Sequence, residues 1–168
     1  MLLTYLDESY TKERYLVAAV AAPDGEATSL TMALDKVVFD ATCEYGRIPL
    51  DAELHARDLV AATGPWQRLA NDVGARIDVY DKALQAIVDH DVAIIIRSVD
   101  IPRLDKRYPF GHDHPHSIVL THLLERVNEY ATETGQYAIA IADEVDAQDG
   151  YRRELWHYQH YQTWGYKA

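Results

Sequence analysis

Three acid-bearing segments hold the residues best suited to chemistry. Asp7-Glu8 closes the apolar run Met1 to Leu6, Glu53-Leu54-His55 lies in a loop after a helical stretch, and Asp143-Glu144 follows the apolar run Tyr137 to Ala142. Asp and Glu are poor strand residues and costly to bury unpaired. A strand that ends in acid therefore either leaves the core for solvent or delivers charge to a site. Clustered in space, these carboxylates would make a divalent-metal site, and oxygen ligands of this kind suit magnesium or manganese better than zinc. A pair of such ions can activate a water and stabilise the leaving oxygen in phosphodiester hydrolysis. Taken singly, each acid reads as a strand end turned to solvent, and it is the recurrence over three segments that brings the metal reading level with that one. Glu53 and His55 stand two apart, so in an extended segment their side chains point the same way. His55 could complete a metal shell or move protons near neutral pH.

Other constellations carry less. His112-Asp113-His114-Pro115-His116 is the most metal-like local sequence. It falls at an expected helix start, where the dipole disfavours cations and Pro115 restricts the backbone. Asp113 is a ready N-cap, so capping and solvent exposure are expected there. The basic group Arg103, Lys106 and Arg107 could contact a polyanion, but in so acidic a chain an ordinary solvated connector is the favoured reading. The tail from Tyr151 to Tyr161 mixes rings and bases; it could stack nucleobases, but packing is the favoured reading. No Gly-rich phosphate loop is present, no Ser has a nucleophile-elbow context, and Cys43 reads as a core residue on a helical face.

The elements that must position the acids follow from periodicity. Met1 to Leu6 and Tyr15 to Ala22 read as a hairpin turning at Ser9 to Lys12, with Pro23-Asp24-Gly25 ending the second strand. Leu30, Leu34, Val37, Ala41 and Tyr45 recur at helical spacing, with Gly46 placed to cap the end. Thr63-Gly64-Pro65 opens a second helix, with Trp66, Leu69, Val73, Ile77, Tyr80, Leu84 and Ile87 as its apolar stripe. Val92 to Val99 reads as a strand buried on both faces, and Asp100 to His114 as a long connector. Pro115 starts a helix with the stripe Leu120, Leu123, Val127 and Tyr130. Tyr137 to Ala142 is a last strand, and Gln148 to about Trp164 a last helix rich in Tyr and Trp. Strands alternating with helices predict an α/β fold with a mostly parallel sheet, joined by the antiparallel hairpin and covered by helices. If the strands before Asp7 and Asp143 are neighbours, both carboxylates emerge at one edge of that sheet.

Bulk composition sets the outer bounds. A chain of 168 residues, 48% apolar and 26% charged, suits one globular domain spanning 1–168. The single cysteine excludes an internal disulfide and a Cys-based zinc cluster. No secretory signal and no membrane-length apolar run is read, so a cytoplasmic protein is expected. With 16 basic against 27 acidic residues, the net charge of -11 argues against a protein held to nucleic acid by diffuse charge. It leaves room for a nuclease whose acids are partly neutralised by metal.

The motifs together resemble a known family. Tyr5-Leu6-Asp7-Glu8-Ser9, Glu53-Leu54-His55-Ala56-Arg57-Asp58-Leu59, Gly64-Pro65-Trp66 and Ala142-Asp143-Glu144 occur in an order similar to that of the domain of unknown function 3800 family. Its members, many from bacteria, phages and mobile elements, have a ribonuclease H-like fold and are regarded as metal-dependent nucleases. The resemblance implies a ribonuclease H-like mixed sheet covered by helices, and a hydrolase site holding magnesium or manganese. It implies Asp7 as the central ligand, Glu53 and Asp143 as further ligands, His55 and Glu144 as helpers, and Glu8 as a neighbour. Family members usually continue to a last strand and a helix bearing an Ala-Asp-Leu-like motif with another acid. None follows Trp164-Gly165-Tyr166 here, so a shortened or reduced member is expected. The rival expectation is a non-catalytic interaction module of phage or mobile-element origin, associating through its acidic surface or its Tyr/Trp-rich end.

Overall fold

In the computed structural model, which describes residues 1–142, the chain opens with a hairpin of β1 (Leu2–Tyr10) and β2 (Arg14–Pro23). The first strand does not stop at the acids; it carries Asp7 and Glu8 on to Tyr10. Pairing with β2 overrides their low strand propensity. The turn lies later than the sequence suggests. Thr11 N–H donates to the Arg14 carbonyl at 2.8 Å, and Thr11 Oγ1 accepts from the backbone of Glu13 and Arg14. No separate turn follows at Pro23-Asp24-Gly25, because α1 (Asp24–Tyr45) starts directly from β2. Gly46 ends α1 at φ 67, a left-handed value that glycine adopts without strain, and its N–H donates to the Thr42 carbonyl.

The remaining elements are α2 (Ala56–Ala61), a 3-10 helix (Gly64–Leu69), α3 (Val73–Val88), β3 (Ala93–Asp100), α4 (Ile101–Arg107), α5 (Pro115–Glu133) and β4 (Ala138–Ala142). The expected second helix is thus two elements. The 3-10 helix stops at Leu69, and Asp72 caps a fresh start by accepting from Ala75 N–H at 2.9 Å. Asp100 does the same for α4, turning part of the supposed connector into helix: its carboxylate accepts from Arg103 N–H at 2.9 Å.

The four strands form one mixed sheet in the order β3-β2-β1-β4, mostly antiparallel with one parallel pair. The expectation of a mostly parallel sheet is therefore corrected. Ile101, just past the end of β3, donates to the carbonyl of Glu13, just before the start of β2, so these two strands run antiparallel. The hairpin is antiparallel by its short turn. The parallel pair is β1 with β4. A long helical excursion between β2 and β3 permits either direction, and here the chain returns head to tail.

Two compact units divide the chain, one of residues Met1–Leu3 and Ala21–Ala93, the other of Thr4–Val20 and Ile94 onward. The first is helical. Val37, Val38 and Ala41 of α1 pack with Ala75 and Val79 of α3, and with Ile48, Leu59, Trp66 and Leu69. Small residues on α3 let the two helices approach, so the larger apolar residues turn outward: Val73, Ile77, Tyr80 and Leu84 are exposed. The expected stripe on this helix is thus its outer side. Cys43 of α1 is exposed too, not part of the core. Asp78 of α3 accepts from Tyr45 at 3.1 Å and pairs with Lys82 at 2.6 Å; burial first, and then Asp78, pushes the Tyr45 hydroxyl up to about 12.

The second unit packs α5 on one face of the sheet. Leu6, Tyr15, Val17, Ala19 and Ile95 meet Val119, Leu123 and Val127 there, with Leu120 and Tyr130 at the margin, as the spacing on this helix predicts. The opposite face, among the described residues, stays open. Ile94 and Ile96 of β3 are 54% and 50% exposed, which overturns the expectation of a strand buried on both faces. Tyr5, Ile139 and Ile141 are exposed as well.

Candidate functional site

Strand alternation sends Asp7 and Glu8 to opposite faces of the sheet. Asp7 joins Tyr5 on the open face and is exposed. Its carboxylate makes no hydrogen bond or ion pair with any described residue. Glu8 shares the α5-covered side with Leu6 and is half-buried. The backbone bonds that close the hairpin pair Tyr10 with Tyr15, and this register sets Asp7 across from Ala18 and Glu8 across from Val17. Small and aliphatic neighbours leave the Asp7 carboxylate unscreened by any cation on β2.

β4 lies directly beside β1 and runs parallel to it, so the carboxyl ends of both strands point the same way. The two strands are neighbours, but Asp7 lies within β1, three residues before its end at Tyr10, so it sits on the face of the sheet and does not emerge at its edge as expected. Asp143 and Glu144 follow Ala142 in sequence and lie outside the described residues.

The Glu53 and His55 motif belongs to the helical unit and is tightly built. Its anchor is Trp66, fully buried, whose indole N–H donates to the Glu53 carbonyl at 2.8 Å. That single bond ties the Glu-Leu-His segment to the Gly-Pro-Trp segment. A second tie runs through Asp58, a residue the sequence reading did not weigh. One Asp58 oxygen lies 3.1 Å from His55 Nδ1, the other accepts from Thr63 Oγ1 at 3.0 Å, and Thr63 N–H donates to the Asp58 carbonyl. His55 first and Thr63 second hold the Asp58 carboxyl below its ordinary range. An ionised Asp58 can only accept, so His55 Nδ1 is the donor and Nε2 is left for other partners. The Asp three residues after His55, at the start of α2, was the available signal for this pairing. Glu53 and His55 are both exposed, and the Glu53 carboxylate has no partner among the described residues.

The histidine run differs from expectation. His114, not Asp113, is the N-cap of α5, its Nδ1 accepting from His116 N–H at 3.3 Å. His116 is buried, and its Nδ1 sits 2.7 Å from the Tyr15 hydroxyl. Tyr10 stacks on Tyr15 at 5.6 Å, while the rings of His114 and His116 meet Tyr15 edge-on. The three histidines do not converge as a metal shell: His112 instead bonds Asp105 at 2.8 Å.

Among the described residues, no group of three or more His, Cys, Asp or Glu side chains is placed to hold a metal ion. The donor chemistry of Asp7, an exposed carboxylate with no partner among the described residues, fits magnesium or manganese. No helix among the described residues is long and apolar enough to cross a membrane. Comparison with protein-family models, with curated proteins and with solved structures finds no match.

Proposed function

We propose that this chain is a metal-dependent phosphodiester hydrolase of the ribonuclease H-like kind, as its resemblance to the domain of unknown function 3800 family implies. The observation that carries this reading is the adjacency of β1 and β4. It supports a site in which Asp7, on the open sheet face, and Asp143, the next residue after β4, supply carboxylates to magnesium or manganese from neighbouring strands. Glu144 stands beside Asp143 in sequence, and Glu8 faces the other side of β1, where it would act on the packing beneath Asp7. Glu53 and His55 enter through the resemblance. Held by Asp58 at Nδ1, His55 keeps Nε2 available to take or return a proton. The metal pair would supply an activated water and stabilisation of the leaving oxygen.

Thermal melts with and without manganese test the site first. Stabilisation of the wild type, absent in Asp7→Asn, is expected, because a ligand that binds the native state raises its stability. No shift at millimolar metal in either protein would sink the reading. Labelled RNA, DNA and hybrid substrates then test activity, with cleavage expected to disappear in Asp143→Asn.

One observation favours a second reading, a non-catalytic interaction module. Val73, Ile77, Tyr80 and Leu84 of α3 are exposed at alternating steps of four and three, the spacing at which one helix packs along another. A second copy of the chain, paired through α3, is the occupant this seam fits. Sedimentation of the wild type and of Ile77→Lys would read it out: a dimer broken by the substitution favours the module, and a monomer in both excludes this seam.

A further inference from the structure

The segment read as a solvated connector borders a broad cleft in the second unit. The end of β3, α4, the segment after it and the first turns of α5 surround a cleft of about 1130 Å³. That volume is slightly above the usual range for small-molecule sites, room enough for a ligand of that size. Arg14, Arg103 and Arg107 line it, together with His112, His122 and the exposed ring of Tyr108. None of the three guanidinium groups makes a hydrogen bond or an ion pair with a described residue. Arg107 has only the Tyr108 ring beneath it, at 5.7 Å. Some arginines elsewhere are engaged, although Arg47, Arg57 and Arg68 also lack a hydrogen-bond or ion-pair partner among the described residues. Arg126 pairs with Glu129 and Glu133, and Arg76 donates to the Val60 carbonyl. In a chain with 27 acids against 16 bases, three unpaired arginines around one cavity run against the overall charge.

The acids of the cleft do not cancel them. Asp100 spends its carboxylate on the N-terminus of α4, and Asp113 is the one other acid on the lining. The Asp113 carbonyl first, and the Asp105 carboxylate second, push His112 above its usual range and so favour its charged form. Ile118, in the first turn of the 19-residue helix α5, also lines the cleft, so the positive end of that helix adds to the same field. Guanidinium forks match phosphate oxygens in pairs, and a neutral or cationic ligand would leave all three unpaired.

We propose that this cleft binds a ligand carrying two or more phosphate groups, gripped by Arg14, Arg103 and Arg107. The shared chemistry belongs to a nucleoside polyphosphate and to a short nucleic-acid strand. The proposal stands on the arginines alone and does not rest on the carboxylate site, so its test is run in chelator, without metal and without reading activity. Calorimetric titration of the full chain with pyrophosphate, with ADP and with a short single-stranded DNA separates the sources. Binding of pyrophosphate and ADP assigns a polyphosphate site, whereas binding of DNA alone assigns a strand-binding cleft whose affinity falls steeply with salt. In either case Arg103→Gln is expected to weaken binding by about tenfold, and Arg103→Gln with Arg107→Gln by more. Arg14→Gln, on β2 and outside α4, repeats the test if the double variant loses its helix by circular dichroism. Arg126→Gln should bind like the wild type. The proposal is overturned if none of the three probes binds at millimolar concentration, or if the Arg14 and Arg103 variants bind as tightly as the wild type.

Discussion

The segment from Glu53 to Trp66 and the rim of the arginine cleft use polar groups in opposite ways. In the first, the bonds are internal: Trp66 with the Glu53 carbonyl, Asp58 with His55 and Thr63, Thr63 N–H with the Asp58 carbonyl, which leaves the Glu53 carboxylate as the exception. In the second, three guanidinium groups stand around a cavity with no partner among the described residues. Asp7 on the open sheet face resembles the cleft in this respect. A partnered polar group fixes geometry, and its removal is felt as lost stability. An unpartnered charge at the surface contributes little to folding, and its removal should be felt only when a ligand arrives. The contrast separates architecture from readiness to bind, and each half of it can be tested.

The largest effect should come from Trp66. Its side chain is fully buried in the core of the helical unit, and its N–H holds the Glu53 carbonyl. Trp66→Ala should cost about 3–5 kcal/mol in urea unfolding, through the cavity and the lost hydrogen bond together. A cost near zero would mean that the segment is not held as described, and the ordered half of the comparison would fail. Thr4 in β1 sharpens the other half. It is fully buried, and its hydroxyl has no partner among the described residues, so it carries the burial cost without the bond. Thr4→Val keeps the shape and strand preference and removes the orphan oxygen, and it should raise stability by about 1 kcal/mol. A destabilised Thr4→Val protein would show that the hydroxyl is satisfied after all.

How much of this could be read from residues depends on what each element answers to. α1 and α5 were legible because each presents its apolar stripe to the core of its own unit, and Gly46 marks the end of α1 and Pro115 the start of α5. α3 misled because its sequence stripe of Val73, Ile77, Tyr80 and Leu84 is the stronger periodic signal, yet close approach to α1 selected the weaker face of Ala75 and Val79. The extent of β1 was hidden because propensity counts Asp7 and Glu8 against a strand, whereas a ten-residue partner strand carries them along. The direction of β3 was not legible at all, since it is fixed by where a long excursion returns. For the site, Asp7, Glu53 and His55 were visible as residue types. Asp58 was missed because its role is a hydrogen bond to His55, for which the three-residue spacing was the sole hint and the apolar pattern gave none. Arg103 and Arg107 were discounted because a charge count weighs them against 27 acids, and only the fold shows that Arg14 from the hairpin joins them at one cleft.

Asp58 offers a test that reads partnership through pH. Its carboxyl is held below its unfolded value of 3.8 by His55 and Thr63. A depressed folded value contributes stability that is fully present above 3.8 and is lost as pH falls through the lower folded value. Asp58→Asn should therefore melt below the wild type at neutral pH, and the two should converge as the pH is lowered past 3.8. Parallel curves over that range would show that the carboxylate is solvated and that His55 is not fixed by it.

The smallest effect is the most informative about the cleft. Arg103→Gln should leave the urea midpoint of the unliganded protein unchanged within about 0.5 kcal/mol, because the guanidinium has no partner among the described residues. Arg126→Gln supplies the reference, since it breaks contacts to Glu129 at 2.8 Å and Glu133 at 3.6 Å on an exposed helix face. Such pairs are worth about 1 kcal/mol or less, so the two variants should differ slightly and in that direction. If Arg103→Gln proves the more destabilising of the two, the arginine is part of the scaffold of α4 and its lack of partners no longer argues for a ligand. If it is silent in unfolding yet weakens phosphate binding, stability and recognition have been assigned to different residues of the same acidic chain.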